Sequence, residues 1–143
     1  MILRNILGII LLTLSLMSCS RDNSVSLSAL KGKWIIINYW AVWCDSCVKE
    51  IPELNHFYQH NQDKNILLFG VNYDHTPMPD LILYPVLVED PKKFFKLADV
   101  DVLPVTFIID PQGKVVKSII GPNTEKSLFK IMQILQKKNE SSQ

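Results

Sequence analysis

The feature that most constrains this chain is a pair of cysteines, Cys44 and Cys47, that closely follows an apolar run. The run, Trp34–Trp40, is β-branched and aromatic without strict alternation, which is typical of a strand buried on both faces of a sheet. The residues after the run predict a helix, so the cysteines fall at its N-terminus, where unpaired N–H groups and the helix dipole favour a thiolate. A thiolate there is a nucleophile, and the second cysteine can resolve a mixed disulfide.

The composition limits the number of domains and the classes of partner. The chain has 143 residues, of which 48% are hydrophobic, so it can bury one core, and one domain is expected. Fifteen Lys and Arg residues nearly balance fourteen Asp and Glu residues, and no block of like charges occurs. Neither nucleic-acid binding nor electrostatic attachment to a membrane is therefore indicated.

The cysteine count also bears on metal binding. The chain has three cysteines, too few for a disulfide framework, and only Cys44 and Cys47 are close together. A zinc site built on this pair would need two further ligands, and His56, His60 and His75 do not follow the spacing of a zinc finger. We therefore expect a redox pair and no metal.

The N-terminal segment predicts an export signal over residues 1–18. Arg4 is its only charged side chain, and Ile6–Met17 is apolar but shorter than the ~20 residues that a membrane-spanning helix needs. The tetrapeptide Leu16–Cys19 resembles a bacterial lipobox, which implies that Cys19 is lipidated and becomes the first residue of the mature protein. The alternatives are an ordinary cleaved signal with an incidental cysteine and an uncleaved anchor.

The remaining chain divides into a polar tether at residues 19–26, one domain at 27–138 and a frayed tail at 139–143. Hydrophobic periodicity and turn residues predict that strands and helices alternate in the domain. The predicted strands are 34–40, 66–72, 105–109 and 114–120, with an extended piece at 81–88 that Pro85 interrupts; the predicted helices are 45 to about 60, 90 or 91 to about 98, and one capped by Asn123 or Thr124. The turn Asp110–Gly113 makes the last two strands antiparallel. This order predicts an α/β fold with a mixed sheet and helices on both faces.

Three stretches in this order resemble the thioredoxin superfamily, and within it the exported thiol-disulfide proteins of the TlpA/ResA type. They are Trp43-Cys44-Asp45-Ser46-Cys47, Leu103-Pro104-Val105-Thr106-Phe107 and Asp110-Pro111-Gln112-Gly113. The resemblance covers about residues 27–135. It implies a thioredoxin-like fold, in which a mixed central sheet is flanked by helices.

The resemblance also implies roles for individual residues. Cys44 corresponds to the exposed attacking thiolate and Cys47 to the buried resolving thiol, whereas the alternative is an inert structural pair. Pro104 corresponds to the family's cis-proline, and the alternative is a proline that starts an edge strand. Substrate would pair with the backbone of Val102 and Leu103, although Val102 replaces the glycine that is common there.

Trp43 and Glu50 are the other candidate site residues. Trp43 precedes the first cysteine and is expected to shield the dithiol. Glu50 lies one helical turn beyond Cys47, matches a glutamate typical of the TlpA/ResA branch, and in a partly apolar site would exchange protons. The alternative is a solvated helix charge. Asn38 stands where many thioredoxins carry a buried aspartate; it cannot take a proton and is expected to be hydrogen-bonded.

The function predicted is that of a periplasmic, membrane-anchored, monomeric oxidoreductase that reduces protein disulfides without metal, flavin or nucleotide. By analogy with its branch, it would act in cytochrome c maturation and receive electrons from a DsbD-like membrane donor. The reducing direction rests on Asp45-Ser46 between the cysteines, because a carboxylate beside Cys44 opposes its thiolate form. The alternatives are an oxidase or isomerase on the same fold and a non-catalytic, peptide-docking lipoprotein.

Overall fold

The computed structural model of the protein describes residues 30–62, 65–74, 76 and 80–141, and these form one sheet with helices on both faces. The strands are β1 (Trp34–Trp40), β2 (Ile66–Asn72), β3 (Val86–Leu87), β4 (Val105–Ile109) and β5 (Val115–Ile120); the helices are α1 (Asp45–Asn61), α2 (Lys92–Phe95) and α3 (Glu125–Glu140). The predicted export signal, the tether and Cys19 lie outside the described residues.

Strand β1 lies at the centre of the five-stranded sheet, whose order is β3-β2-β1-β4-β5. All seven residues of β1 are buried, as the continuous apolar run predicts. The strand is parallel to β2, with Trp40 opposite Asn72, and antiparallel to β4, with Tyr39 opposite Val105. The sheet is therefore mixed, and the predicted α/β class and the antiparallel β4–β5 hairpin are confirmed.

The two faces of the sheet belong to two hydrophobic clusters. On one face, Ile36 and Trp40 pack in a cluster that also contains Leu54 of α1 and Leu128 of α3. On the other face, Tyr39 packs in a cluster with buried residues of β4 and with the short helix α2. Both cysteines belong to the first cluster, so the face covered by α1 and α3 is the one that contains the site.

Helix α1 also holds the segment that precedes β3. The buried Asn55 donates from Nδ2 to the Leu81 carbonyl oxygen (2.7 Å) and accepts at Oδ1 from the Leu83 N–H (2.9 Å). Because these backbone groups are hydrogen-bonded to Asn55, residues 81–85 do not pair with the sheet. Strand β3 therefore has only two residues. The predicted extended piece at 81–88 is therefore strand only at its end. Pro52, within α1, is exposed and does not end the helix.

Two element ends differ from the prediction. Helix α2 was predicted to run to about residue 98, but Lys96 adopts a left-handed conformation (φ 53°), and the Leu97 N–H bonds to the Lys92 carbonyl (3.0 Å), which ends the helix. Helix α3 begins after the N-cap Thr124, as predicted, but it continues to Glu140, so the first two residues of the predicted tail are helical. Within the described part of the chain, no helix is both long enough and apolar enough to cross a membrane.

Candidate active site

Cys44 and Cys47 form a disulfide at the start of α1. Cys44 is the N-cap residue of the helix, and its Sγ accepts a hydrogen bond from the Cys47 N–H at 3.2 Å. Ser46 Oγ lies 3.4 Å from the same sulfur and donates to it, because a disulfide sulfur carries no proton. The sulfur of Cys44 thus occupies the place where helices stabilise negative charge.

The two cysteines differ less in exposure than the sequence predicted. Cys44 is 8% exposed and Cys47 is 1% exposed. The prediction of an exposed Cys44 is therefore wrong for the disulfide form. Both cysteines are buried and pack in the core cluster with Trp40. Cys44 is nevertheless the more accessible of the two residues. Trp40 itself is 1% exposed and lies in the core.

Trp43 projects from the molecule beside this disulfide. Its side chain is 63% exposed, and its indole Nε1 donates to Asp74 Oδ2 at 2.7 Å. Asp74 also accepts from Thr76 Oγ1 at 3.0 Å. Desolvation would raise the pKa of Asp74, but the hydrogen bonds from Thr76 and Trp43 outweigh it and lower that pKa. The loop after β2 therefore fixes the indole, and the shielding role of Trp43 stays a prediction.

The peptide between Leu103 and Pro104 is cis, which confirms the prediction for Pro104. Val105, the next residue, is paired with Tyr39 of β1, so Pro104 lies at the same end of the sheet as the disulfide. Leu103 is half-buried and packs against the cluster that contains the cysteines, whereas Val102 is 54% exposed. These three residues therefore form the edge of the site, with one apolar side chain directed inward and one open to solvent.

Glu50 lies inside the protein. It is 2% exposed, so the alternative interpretation of a solvated helix charge is wrong. Its Oε1 accepts from the Asn123 N–H (2.7 Å) and from Asn123 Nδ2 (3.0 Å), and its Oε2 accepts from Asn38 Nδ2 (3.2 Å). Burial raises the pKa of Glu50, and the hydrogen bonds from Asn123 and Asn38 offset part of that rise. A buried carboxyl with a raised pKa binds a proton more readily than an exposed one, which suits it to proton exchange.

Sequence reasoning missed three residues around this carboxyl. Asn123 was considered only as a helix cap, yet Thr124 is the cap and Asn123 faces Glu50. Thr106, which is fully buried, accepts hydrogen bonds from both asparagine amides. Burial, and then the negative charge of Glu50, raise the pKa of Tyr84, so this buried tyrosine lies within the electrostatic reach of the carboxylate. A lone tyrosine in an apolar segment gives no signal of such a role. The hydrogen bonds of Asn38 confirm the prediction that its buried amide is partnered.

The mixed sheet, the disulfide at the start of α1 and the cis-proline before β4 define a thioredoxin-fold protein with a redox-type cysteine pair. The chain belongs to the AhpC/TSA family, whose model matches residues 12–118. The predicted membership of the thioredoxin superfamily is thereby confirmed.

The relatives with this sequence pattern include proteins named thiol-disulfide oxidoreductase ResA. The chain is 34% identical over 118 residues to ResA of Bacillus subtilis, covering 78% of this chain and 66% of the relative. It is 33% identical over 117 residues to ResA of Bacillus cereus, covering 76% of this chain and 67% of that relative. The chain therefore spans about two thirds of the length of these relatives.

Solved structures agree with this assignment. The crystal structure of StoA from Bacillus subtilis has a TM-score of 0.58 at 25% identity and covers 68% of this chain and 81% of that chain. A thiol:disulfide interchange protein of the thioredoxin family from Chlorobium tepidum has a TM-score of 0.66 at 27% identity, covering 77% of this chain and 84% of that chain. The thioredoxin-like fold predicted for this chain is thus confirmed.

Proposed function

We propose that this protein is a thiol-disulfide oxidoreductase that reduces disulfides of other exported proteins. The observation that carries the proposal is the position of the Cys44–Cys47 disulfide, at the N-terminus of α1 and with Cys44 as the more accessible residue. The names of the ResA relatives support the same activity.

In the proposed reaction, the Cys44 thiolate attacks one sulfur of the substrate disulfide, and the other substrate sulfur leaves as a thiolate that takes up a proton. Cys47 then loses its proton and attacks Cys44, so the mixed disulfide breaks and the substrate leaves with two thiols. The protein ends with the Cys44–Cys47 disulfide and has transferred two electrons. The N–H of Cys47 and the Ser46 hydroxyl, which bond to Cys44 Sγ, support the attacking thiolate.

Glu50 is the proposed acceptor for the Cys47 proton. It lies three residues after Cys47 in α1, which brings both side chains to one face of the helix. Because burial raises its pKa, Glu50 takes up a proton more readily than an exposed carboxylate. Glu50→Gln should therefore slow the resolving step in the pH range where the Cys47 thiol is protonated. An unchanged pH profile would remove Glu50 from the mechanism.

Substrate is proposed to bind as an extended segment beside the cis-proline. The backbone of Val102 and Leu103 precedes Pro104 at the end of the sheet where the disulfide lies, and Trp43 adds an exposed aromatic surface. Val102→Gly should lower KM for a peptide disulfide if the valine side chain limits backbone approach. An unchanged KM would mean that the backbone at 102 does not contact substrate.

The direction of the reaction depends on how strongly the Cys44 thiolate is stabilised. Asp45, the first residue of α1, is an exposed carboxylate next to Cys44, and it opposes a second negative charge. We therefore propose a reductant. The second candidate, an oxidase or isomerase, is favoured by the two donors from Ser46 and Cys47 to Cys44 Sγ, because stabilising the reduced form raises the potential.

Equilibration with glutathione and with dithiothreitol separates the two directions. A reductant should have a potential near the roughly −270 mV of thioredoxin, whereas a strong oxidant lies near roughly −120 mV. Asp45→Asn, which removes the charge at constant size, should raise the potential, and Asp80→Asn on the exposed loop before β3 is the matched control. A wild-type pair that stays reduced in oxidised glutathione would contradict the reducing assignment.

We further propose that the protein is anchored at the periplasmic side of a membrane through lipidated Cys19, acts as a monomer in cytochrome c maturation and receives electrons from a DsbD-like donor. The lipobox-like sequence around Cys19 supports the anchor, and resemblance to the ResA branch supports the client. Metabolic labelling with an acyl probe should mark the wild type but not Cys19→Ser. Unlabelled wild-type protein would contradict lipidation.

The docking alternative is tested by replacing both Cys44 and Cys47 with serine. A variant that still supports cytochrome c maturation would favour a peptide-docking lipoprotein over an enzyme. A Cys47→Ser variant should instead retain its client as a mixed disulfide at Cys44, and the mass of that client identifies the substrate.

A further inference from the structure

Four buried residues from four parts of the fold, Glu50 among them, form a closed ring of hydrogen bonds. Asn38 of β1 donates from Nδ2 to Glu50 Oε2 (3.2 Å) and to Thr106 Oγ1 (3.1 Å). Asn123, just before α3, donates from Nδ2 to Glu50 Oε1 (3.0 Å) and to the same Thr106 oxygen (3.1 Å). Thr106 of β4 does not bond to Glu50, but it closes the ring.

A count of donors and acceptors shows what the threonine does. A primary amide nitrogen carries two hydrogens, and in each asparagine one of them goes to Glu50 and the other to Thr106. A hydroxyl oxygen has two lone pairs, and both receive an amide hydrogen here. A flipped amide would turn its own oxygen toward the Glu50 carboxylate. The carboxylate only accepts, so it selects the orientation in which both amides donate to it, and the Thr106 oxygen accepts the second hydrogen of each amide in that orientation.

Packing alone does not require a hydroxyl at position 106. The residue is fully buried in β4, where a valine has nearly the same volume and the same β-branched preference for strands. Burying a hydroxyl costs free energy unless it is hydrogen-bonded, and both hydrogen bonds recorded for this hydroxyl come from the amides that face Glu50. The hydroxyl therefore serves the hydrogen bonds around the Glu50 carboxyl and not the packing of the core.

We propose that Thr106 is a positioning residue for proton transfer at Glu50: by accepting the second hydrogen of the Asn38 and Asn123 amides, it holds both amides where they donate to the buried carboxylate. This inference rests on the proposed role of Glu50 in the resolving step. Among the described residues, the side chains of β1, β4 and the turn before α3 that take part in this hydrogen-bond ring, Asn38, Thr106 and Asn123, carry no charge.

In the part of the chain that the structure describes, Tyr84 before β3 feels the charge of Glu50, and Cys47 lies one turn before Glu50 on the same face of α1. On its own helix, Lys49 is exposed, and Glu53 bonds to the Glu125 N–H (2.8 Å). In the disulfide form the cysteines do not titrate. The carboxyl of the oxidised protein therefore reports the effect of the ring without interference from the thiols.

The test is the titration of the Glu50 carboxyl carbon by NMR in the oxidised, full-length protein. Hydrogen bonds to a carboxylate favour its charged form, so Thr106→Val should raise the Glu50 midpoint by roughly one pH unit for each amide bond that is lost. Thr106→Ser, which keeps the hydroxyl, should titrate like the wild type. Ser118→Ala, which removes an exposed hydroxyl from β5, is the control and should not shift the midpoint.

A folded Thr106→Val variant with the wild-type midpoint overturns the inference. If that variant does not fold, the wild-type protein provides the test. The chemical shifts of the side-chain NH₂ groups of Asn38 and Asn123 should both titrate with the same midpoint as the Glu50 carboxyl. NH₂ shifts that do not change at this midpoint would contradict the hydrogen-bond ring.

The pH profile of peptide-disulfide reduction then tests the link to catalysis. Thr106→Val should move the profile upward with the carboxyl midpoint, and it should have no further effect in a Glu50→Gln background. If Thr106→Val shifts the Glu50 carboxyl midpoint but leaves the pH profile of disulfide reduction unchanged, the proposed function of Glu50 is refuted. An unshifted midpoint refutes the role of Thr106 alone, so the two failures are distinguishable.

Discussion

Gly70 lies within β2, and its missing side chain leaves room for the aromatic part of the core that holds the disulfide. A Cβ atom on Gly70 would lie 3.0 Å from Trp40 Nε1, 3.1 Å from Tyr84 Cε2 and 3.3 Å from Val86 Cγ2. Favourable contacts between heavy atoms begin at about 3.5 Å. Trp40 and Tyr84 are 1% and 3% exposed, so neither can move aside without displacing other core side chains.

Gly70→Ala sets two effects of opposite sign against each other. Alanine restricts the unfolded chain and so stabilises the fold by about 0.4–1 kcal/mol, whereas overpacking a core costs about 1–3 kcal/mol. Since the new methyl group approaches three side chains at once, we expect overpacking to dominate. The free energy of unfolding should fall by about 1–2 kcal/mol, which lowers Tm by about 4–8 °C in a domain of this size.

Urea unfolding of the oxidised protein, followed by circular dichroism and tryptophan fluorescence, measures this change. Ser118→Ala on the exposed side of β5 is the control, and its effect should stay within about 0.5 kcal/mol. A Gly70→Ala variant at least as stable as the wild type would refute the packing of Trp40 and Tyr84 against β2.

Three further predictions concern Trp43, Asn55 and Glu50. Asp74→Ala should make Trp43 fluorescence easier to quench by acrylamide, because it releases the indole N–H, while stability changes by less than about 0.5 kcal/mol; unchanged quenching would contradict the contact. Asn55→Ala should cost about 2 kcal/mol, since two part-buried hydrogen bonds between its side chain and backbone groups are lost, whereas Gln59→Ala on the exposed side of α1 should have little effect. Equal urea midpoints for the two variants would contradict the contacts of Asn55 with residues 81 and 83. Burial raises the pKa of Glu50 in the folded state. Between the unfolded pKa of about 4.3 and the folded pKa, the folded state therefore binds more protons than the unfolded state, and the free energy of unfolding falls as pH rises through this window. Relative to Glu50→Gln, the wild type should therefore lose stability across that window in urea titrations, and a constant difference would contradict the raised pKa.

Strands that are continuous apolar runs could be predicted from the sequence. The bounds of β1, β2 and β4 match the predicted residues, because each run is apolar and almost wholly buried along its length. The segment at 81–88 could not be predicted in the same way. Its apolar pattern fits a strand, but its backbone is held by Asn55, which lies 26 and 28 positions away in the sequence.

The site was predictable where local chemistry defines it and not where distant residues complete it. The cysteine spacing and the helix start identify Cys44 and Cys47 from a few neighbouring residues. Glu50 had two interpretations, because a glutamate one turn after a cysteine gives no signal of burial. Asn123, 73 positions away, supplies two of its hydrogen bonds, and only the fold brings them together.

Single-cysteine variants test most directly whether Cys44 attacks the substrate disulfide and Cys47 resolves the mixed disulfide. Reduced Cys47→Ser and Cys44→Ser are each mixed with a peptide disulfide at pH 6, and the covalent adduct is followed by intact mass. We predict that Cys47→Ser forms the Cys44–peptide adduct at least tenfold faster than Cys44→Ser forms one at Cys47, because Cys44 is more exposed (8% against 1%) and caps α1. Equal rates, or a faster reaction at Cys47, would contradict the account.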